Sequence, residues 1–167
     1  MNNNAIPDTS TVIESIVNQM PLFEGFKINY EVGSKESFDT YIANKTDSSK
    51  YPIIWEVLPS KMEVIEDNIG KSKVVLIIAI KSSYERSRDY TVIRKEFDSL
   101  MMKLLNRVVE GLKKSSATTM LDSYFYEKKP NYYENNKSVQ LDILNVIVFE
   151  ANIQFKTTNC LNTIIWE

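Results

Sequence analysis

The chain has 167 residues, 43% of them hydrophobic and 25% charged, which is typical of one globular domain. Its 20 basic and 22 acidic residues nearly cancel, so it lacks the basic surplus of proteins that bind nucleic acid through phosphates. There is no histidine and a single cysteine, Cys160, which excludes histidine-based catalysis, an internal disulfide and a cysteine-rich zinc site.

The N-terminal third begins with residues 1–10, which we predict to be a flexible tail. A helix follows from near Thr11, because Thr11 and Glu14 form a capping-box pattern and apolar residues then recur at helical spacing. The stretch FKINYEV, residues 26–32, alternates apolar and polar residues and predicts a half-buried strand. Residues 33–50 are polar, and we interpret them as a loop with a short turn around residues 38–42.

The middle of the chain predicts three strands and one long helix. YPIIWEVL and MEVIED are the first two strands, and Pro52 suits the start of the first because proline cannot donate to a ladder. KVVLIIAIK, residues 73–81, is apolar on both faces and predicts a central strand covered on both sides. Residues 89–114 keep a three-to-four-residue apolar spacing, the pattern of a long amphipathic helix.

The C-terminal third predicts a strand at MLDSYFYE, a long loop at KKPNYYENNKS and a long strand at residues 141–156, followed by a tail or arm at residues 157–167. The element order is therefore α-β-β-β-β-α-β-β, within a single domain of residues 11–156. This order predicts an α+β fold in which a mostly antiparallel sheet of about five to six strands packs against one long amphipathic helix and a shorter N-terminal helix.

Catalytic patterns are weak in this sequence. The four glycines are scattered, so there is no glycine-rich phosphate loop. Glu63, Glu66 and Asp67 are neighbouring acids in a surface strand and its turn, which favours solvated carboxylates over a glycosidase pair. Cys160 lies in a polar tail, and we interpret it as an incidental thiol. We predict no catalytic, cofactor-binding or metal-binding residue and no cofactor; the alternative is a small enzyme that uses carboxylates or tyrosine hydroxyls.

Three segments are candidates for contact with a partner. Trp55 is the predicted anchor on a neighbouring subunit, in a strand that also offers Tyr51 and Pro52. The second segment mixes basic residues with aromatic rings and consists of Lys128, Lys129, Tyr132 and Tyr133. This mixture suits contact with a protein or with single-stranded nucleic acid. Alternatively, the tyrosines pack against the neighbouring surface of their own chain. The third is the apolar C-terminus, which either folds back on its own sheet or docks on another subunit; its residues are Ile164, Ile165 and Trp166.

The order of elements, together with KYPIIWEVLP at residues 50–59 and the following acidic strand that turns into KVVLIIAIKSS, resembles the head-to-tail connector and tail-terminator proteins of tailed phages. The asparagine-, lysine- and tyrosine-rich composition without histidine is similar to proteins of crAss-like gut phages. The resemblance covers roughly residues 10–156 and carries over no catalytic residue.

The resemblance implies a structural virion protein. Small α+β subunits of this family form closed homo-oligomeric rings, here of six or twelve copies, on the portal or at the head end of the tail, and DNA passes through the lumen. The expected partners are copies of the chain, the portal or other neck and tail proteins, and non-specific DNA. The expected location is the virion after synthesis in the host cytoplasm, with no secretion and no membrane contact, because the start of the chain lacks a signal-peptide pattern and its longest apolar run is too short to span a bilayer.

Overall fold

The structure is a computed structural model that describes residues 8–44, 50–66, 68–82, 90–132, 144–157 and 162–166. Its elements are α1 (Thr9–Asn18), β1 (Asn29–Gly33), α2 (Lys35–Asn44), β2 (Ile53–Val57), β3 (Met62–Glu66), β4 (Ile69–Lys81), α3 (90–114), β5 (Thr118–Met120), β6 (Phe125–Tyr132) and β7 (Leu144–Lys156). Helix α3 contains a π-helical segment, Phe97–Met101, between two α-helical segments, Tyr90–Glu96 and Met102–Lys114. The predicted α+β class is confirmed.

The seven strands form one mixed sheet that does not close into a barrel. The order across it is β1-β2-β4-β7-β5, with β3 also paired to β4 and β6 also paired to β7. Only the β1–β2 pair is parallel, and all other pairs between the described strands are antiparallel. The predicted count of five to six strands is wrong, because the segment predicted as one strand at residues 120–127 belongs to two strands, β5 and β6.

Strands β4 and β7 form the centre of the sheet. They pair antiparallel over their whole length, from Ile69 opposite Lys156 to Lys81 opposite Leu144. Both are rich in β-branched residues, which pack well on a pleated surface with neighbours on each side. The prediction that residues 73–81 form a central strand is confirmed.

The larger part of the core lies between one face of the sheet, here called the helical face, and helices α1 and α3. The apolar stripe of α3 brings buried Met101, Leu104 and Leu105 to this face, and α1 adds Ile13. The sheet contributes the residues whose side chains point to the same side, including Ile54, Leu76, Ile78, Ile147, Phe149, Ile153 and Phe155. A stripe at helical spacing covering alternating strand positions is the expected arrangement for an amphipathic helix on a sheet.

Helix α2 covers part of the opposite face, here called the α2 face. Phe38 and Ile42 of α2 are buried against side chains of β2, β4 and β7; the sheet residues are Ile53, Trp55, Ile77, Ala79, Leu144 and Val146. The prediction of a loop at residues 33–50 is therefore wrong for Lys35–Asn44. The Ser34 hydroxyl oxygen accepts the Ser37 backbone N–H at 3.1 Å, which is the hydrogen bond of a serine N-cap and explains where the helix begins.

The N-terminal elements differ in their boundaries from the prediction. Helix α1 begins at Thr9, so Thr9 and Ser10 do not belong to a tail, and the predicted capping box at Thr11 is wrong. The predicted strand at residues 26–32 is shortened to Asn29–Gly33, because Phe26 pairs with Phe23 across a tight turn and is 61% exposed. The turn places Glu24 at φ 50° and Gly25 at φ 84°. Residues 1–7 lie outside the described residues.

No helix in the part of the chain that the structure describes is both long enough and apolar enough to cross a membrane.

Candidate functional site

Strand β2, which contains the predicted anchor, lies inside the molecule. Trp55 is 4% exposed, its ring meets Phe38 edge-on at a centroid distance of 5.5 Å, and its indole N–H donates to the Gly33 carbonyl oxygen at 3.2 Å. Tyr51 and Pro52 are buried as well. Trp55 is therefore a core residue beneath α2 rather than the predicted anchor on a neighbour.

The other face of β2 carries a buried carboxylate that the sequence interpretation missed. Glu56 is 1% exposed and accepts hydrogen bonds from the Thr9 hydroxyl at 3.1 Å and from the Tyr30 hydroxyl at 2.5 Å. Burial and the hydrogen bond to Glu56 raise the pKa of the Tyr30 hydroxyl above its usual value of 10.0. Because Thr9 is the first residue of α1, the cluster joins that helix to β1 and β2. A glutamate in an otherwise apolar strand was the sequence signal for it.

A second buried carboxylate, Glu96, lies where the π-helical segment of α3 begins. It is 6% exposed and accepts hydrogen bonds from the Asn145 side-chain amide and, at 3.0 Å, from the Ser82 hydroxyl. Asn145 is fully buried near the start of β7. This cluster therefore connects α3 to the ends of the two central strands.

Residues 128–132 are in a strand, so the prediction of a loop beginning at Lys128 is wrong for this part. The ammonium group of Lys128 lies 3.4 Å from the Asp98 carboxylate and 5.7 Å from the centre of the Phe97 ring. Lys129 pairs with Glu127 at 3.1 Å. The Tyr132 hydroxyl donates to buried Asp39 of α2 at 2.9 Å. These side chains contact their own chain, and Tyr133 lies outside the described residues.

The C-terminal segment folds back on the helices of its own chain. Ile164 is 5% exposed, and its backbone N–H donates to the Gln19 side-chain oxygen at 2.8 Å. Trp166 packs closely over Gly111 of α3, where an added Cβ would lie 2.9 Å from the indole ring. Ile165 points away and is 80% exposed. Of the two alternatives for this segment, folding back is observed, although onto the helices rather than directly onto the sheet.

Large apolar side chains remain exposed at both borders of the sheet. One border, here called the aromatic border, consists of β5, Leu121 and β6, with Phe125 73% exposed and Tyr126 44% exposed. The other, here called the acidic border, consists of β1 and β3, with Val32 40% exposed and Val64 65% exposed. Neither border is paired to a further described strand.

The two borders differ in charge. The acidic border carries three exposed carboxylates and no basic residue; the acids are Glu31, Glu63 and Glu66. The aromatic border carries Lys128 and Lys129 and two acids, Glu127 and the exposed Asp122 that follows Leu121. Glu63 and Glu66 are exposed on β3 and Asp67 lies outside the described residues, which agrees with the interpretation of the former two as solvated acids.

The sequence interpretation did not identify the borders, because their exposed apolar residues lie within ordinary strand patterns. Among the described residues, no group of three acidic, cysteine or histidine side chains could hold a metal ion. Cys160 lies outside the described residues.

Comparison with known proteins gives the chain no family: no protein-family model matches the chain, and no curated protein matches it.

Proposed function

We propose that the protein is a ring-forming structural subunit of the neck or tail of a tailed phage, of the head-to-tail connector or tail-terminator type. The observation that carries the proposal is the open sheet with exposed apolar side chains on both of its borders. Exposed strand edges invite pairing with another chain, and a closed ring gives every such edge a defined partner. The resemblance of residues 50–59 and of the element order to phage neck proteins supports the same function.

In the proposed assembly, six or twelve copies surround the path of the DNA and contact the portal or other neck and tail proteins. The site of action is the virion, after synthesis in the host cytoplasm. A net charge of −2 is better suited to a channel through which DNA slides than to a surface that holds phosphates tightly. No cofactor takes part.

The alternative of a nucleic-acid adaptor working through residues 128–133 receives less support from the contacts. Lys128 and Lys129 each already pair with an acid of the same chain, and both residues are held in β6 rather than presented on a loop. Exposed pairs of this kind are weak, so a DNA-binding titration over a range of salt concentrations decides the matter. Tight binding that falls steeply with salt would favour the adaptor; absent or salt-insensitive binding removes it.

The ring proposal is tested by the mass of the purified chain and by its binding to portal assemblies. We expect a closed oligomer, alone or on the portal, and we expect a tagged copy to be located at the neck or tail of purified particles. A chain that stays monomeric and also fails to bind portal assemblies would overturn the proposal. Location of the tag elsewhere in the particle, or outside it, would do the same.

A further inference from the structure

We infer that the outer face of helix α3 is a contact surface for the phosphate backbone of double-stranded DNA. This outer face is the side of α3 that is turned away from the sheet, and six basic side chains that are exposed or half-buried define it; they are Arg94, Lys95, Lys103, Arg107, Lys113 and Lys114. The inference rests on the proposed function for its biological setting, because it names the surface of each subunit that meets the DNA in the passage. The contact itself is argued from the charge, length and composition of the helix.

The outer face carries a surplus of positive charge in a chain whose net charge is −2. Its six bases stand against two acids, Asp98 and Glu110, because the third acid of the helix, Glu96, is buried against the ends of the central strands. The neighbouring elements add two acids and two bases, which cancel each other; these are Glu14, Glu24, Lys27 and Lys128. The surplus is therefore local to α3, and the overall balance of charge in the sequence conceals it.

Ion pairs within the chain neutralise only part of this charge. Arg94 lies 3.4 Å from the Asp98 carboxylate, which it shares with Lys128, and Lys114 pairs with Glu110 at 2.6 Å. Exposed pairs of this kind are weak and are screened by salt, so they leave both bases able to turn towards a stronger anion.

The other four bases of the outer face form no ion pair with any residue that the structure describes; they are Lys95, Lys103, Arg107 and Lys113. Arg107 donates to two backbone carbonyl oxygens of the turn after α1, and these neutral acceptors leave its positive charge in place. Lys103 and Arg107 are four residues apart, a spacing at which like charges destabilise a helix. The row of bases therefore weakens the isolated helix, and an anionic ligand along the row would remove this repulsion.

The length of the outer face matches an extended, rod-like ligand. The stretch from Lys95 to Lys113 is about 27 Å long at the helical rise of about 1.5 Å per residue. A DNA duplex carries one negative charge per roughly 1.7 Å of its axis, so about eight base pairs lie along a stretch of this length. Several bases of one helix can therefore contact phosphates of the same duplex at once.

The composition of the outer face favours duplex DNA over other anionic partners. From residue 91 to residue 114, α3 has no exposed large apolar or aromatic side chain. Single-stranded nucleic acid binds through bases stacked on aromatic rings, and a protein interface has an apolar and aromatic centre. A membrane surface takes up exposed apolar side chains beside the bases. The outer face offers only charged and polar contacts, which suit the phosphates of a duplex and read no base sequence.

Two triple variants with the same change in net charge separate the outer face from the charge of the whole chain. The outer-face variant reverses the three exposed lysines of α3 that form no ion pair; it is Lys95→Glu/Lys103→Glu/Lys113→Glu. The matched control reverses three lysines on other elements; it is Lys61→Glu/Lys129→Glu/Lys156→Glu. Duplex binding alone does not distinguish the outer face from the adaptor alternative, and the control therefore includes Lys129 of that segment.

The experiment measures the binding of each purified chain to a duplex of about 30 base pairs, and to one of its single strands, at about 50 to 200 mM salt. We expect the wild type and the control to bind the duplex weakly, with an affinity that falls as salt rises and does not depend on sequence. We expect the outer-face variant to bind at least about tenfold more weakly, with a slope of log affinity against log salt that is shallower by about 3, one for each phosphate contact removed. Circular dichroism checks that each variant is folded; one that is not folded is replaced by the corresponding Lys→Gln variant.

Several results would overturn the inference. They are equal duplex binding by the two triple variants, a wild type that prefers the single strand, and a wild type that does not bind the duplex at the lowest salt concentration. Loss of binding in the control alone would also overturn it and would favour the adaptor. Tighter binding to vesicles of phosphatidylglycerol and phosphatidylcholine than to the duplex would assign the outer face to a membrane surface instead.

The mass of the same samples separates this inference from the proposed ring. A closed ring whose duplex binding is unchanged in the outer-face variant would overturn the inference and leave the ring function intact. Duplex binding that depends on the outer face, in a chain that forms no ring alone or on portal assemblies, would support the inference and count against the ring.

Discussion

Strands β2 and β6 show how poorly apolar content alone identifies a contact surface. Strand β2 is apolar apart from Glu56, and it is buried on both faces, between α2 on one side and the α1–α3 layer on the other. Strand β6 has the mixed sequence FYEKKPNY, yet it leaves Phe125 73% exposed because it lies at a border of the sheet. Position in the sheet, rather than local hydrophobicity, decides which of the two strands is available to a partner.

The largest expected difference between the two strands is the effect of removing an aromatic ring. Trp55→Ala removes a ring packed against Phe38 and Tyr41, and we expect it to lower the free energy of unfolding by about 3–5 kcal/mol. Phe125→Ala is the matched control, and we expect a change within about 0.5 kcal/mol in the isolated subunit because the ring is exposed there. Urea unfolding followed by circular dichroism measures both losses. Similar losses would show that the buried ring of Trp55 stabilises the fold no more than the exposed ring of Phe125 does.

The acids of the two strands provide the next contrast. Glu56→Ala leaves the buried hydroxyl of Thr9 and the hydroxyl of half-buried Tyr30 without their acceptor, and we expect a loss of about 2–4 kcal/mol in the free energy of unfolding. Glu127→Ala, on β6, removes only an exposed ion pair with Lys129, for which we expect about 0.5 kcal/mol or less. Equal effects of the two substitutions in chemical denaturation would show that Glu56 does not hold α1 to the sheet.

A smaller effect is expected at the C-terminal segment, where two adjacent isoleucines differ in burial. Ile164→Ala opens space in the larger part of the core, and we expect a loss of about 2 kcal/mol in the free energy of unfolding, the low end for such a change because this terminal segment can relax. Ile165→Ala should have no measurable effect on a monomer, because this side chain is 80% exposed. A reversed order of the two losses, measured by thermal unfolding, would contradict the observed packing.

The smallest expected effect is a dependence on alkaline pH. Because burial raises the pKa of Tyr30 in the folded protein, the folded state retains this proton more tightly than the unfolded state does. The contribution of Tyr30 to stability is therefore fully present below pH 10 and is lost progressively as the pH rises above that value. Tyr30→Phe should make the decline in stability between pH 9 and about 11 shallower, within the range over which an unfolded tyrosine begins to ionise.

The control for this dependence is Tyr126→Phe on β6, which removes a hydroxyl from a half-exposed ring. We expect the alkaline decline of this variant to follow that of the wild type. An unchanged decline in Tyr30→Phe would mean that burial and the hydrogen bond to Glu56 do not raise the pKa of Tyr30 in the folded protein.

The parts of the fold that the sequence predicted are those with strong local patterns. The apolar run of β4, the length of β7 and the stripe of α3 follow from periodicity within one element. Helix α2 was missed because its apolar stripe is limited to Phe38, Tyr41 and Ile42 among polar residues; Ser34 as an N-cap was the available signal.

The contact surfaces were harder to predict, because exposure depends on pairings between distant parts of the chain. Trp55 is buried by α2, which precedes it in the sequence, and by strands that follow it. Phe125 and Val64 are exposed because the sheet ends at their strands, which no local pattern of residues reveals. The buried acids Glu56 and Glu96 likewise acquire their partners only through the tertiary fold.

Electron microscopy of the purified wild-type chain is the most direct test of the proposed ring, with a Phe125→Asp/Tyr126→Asp double variant of the aromatic border as its control. We predict closed rings with a central opening for the wild type and single subunits for the variant. Two-fold dimers of the wild type, or rings that form equally well in the variant, would contradict an assembly built from the two borders of the sheet.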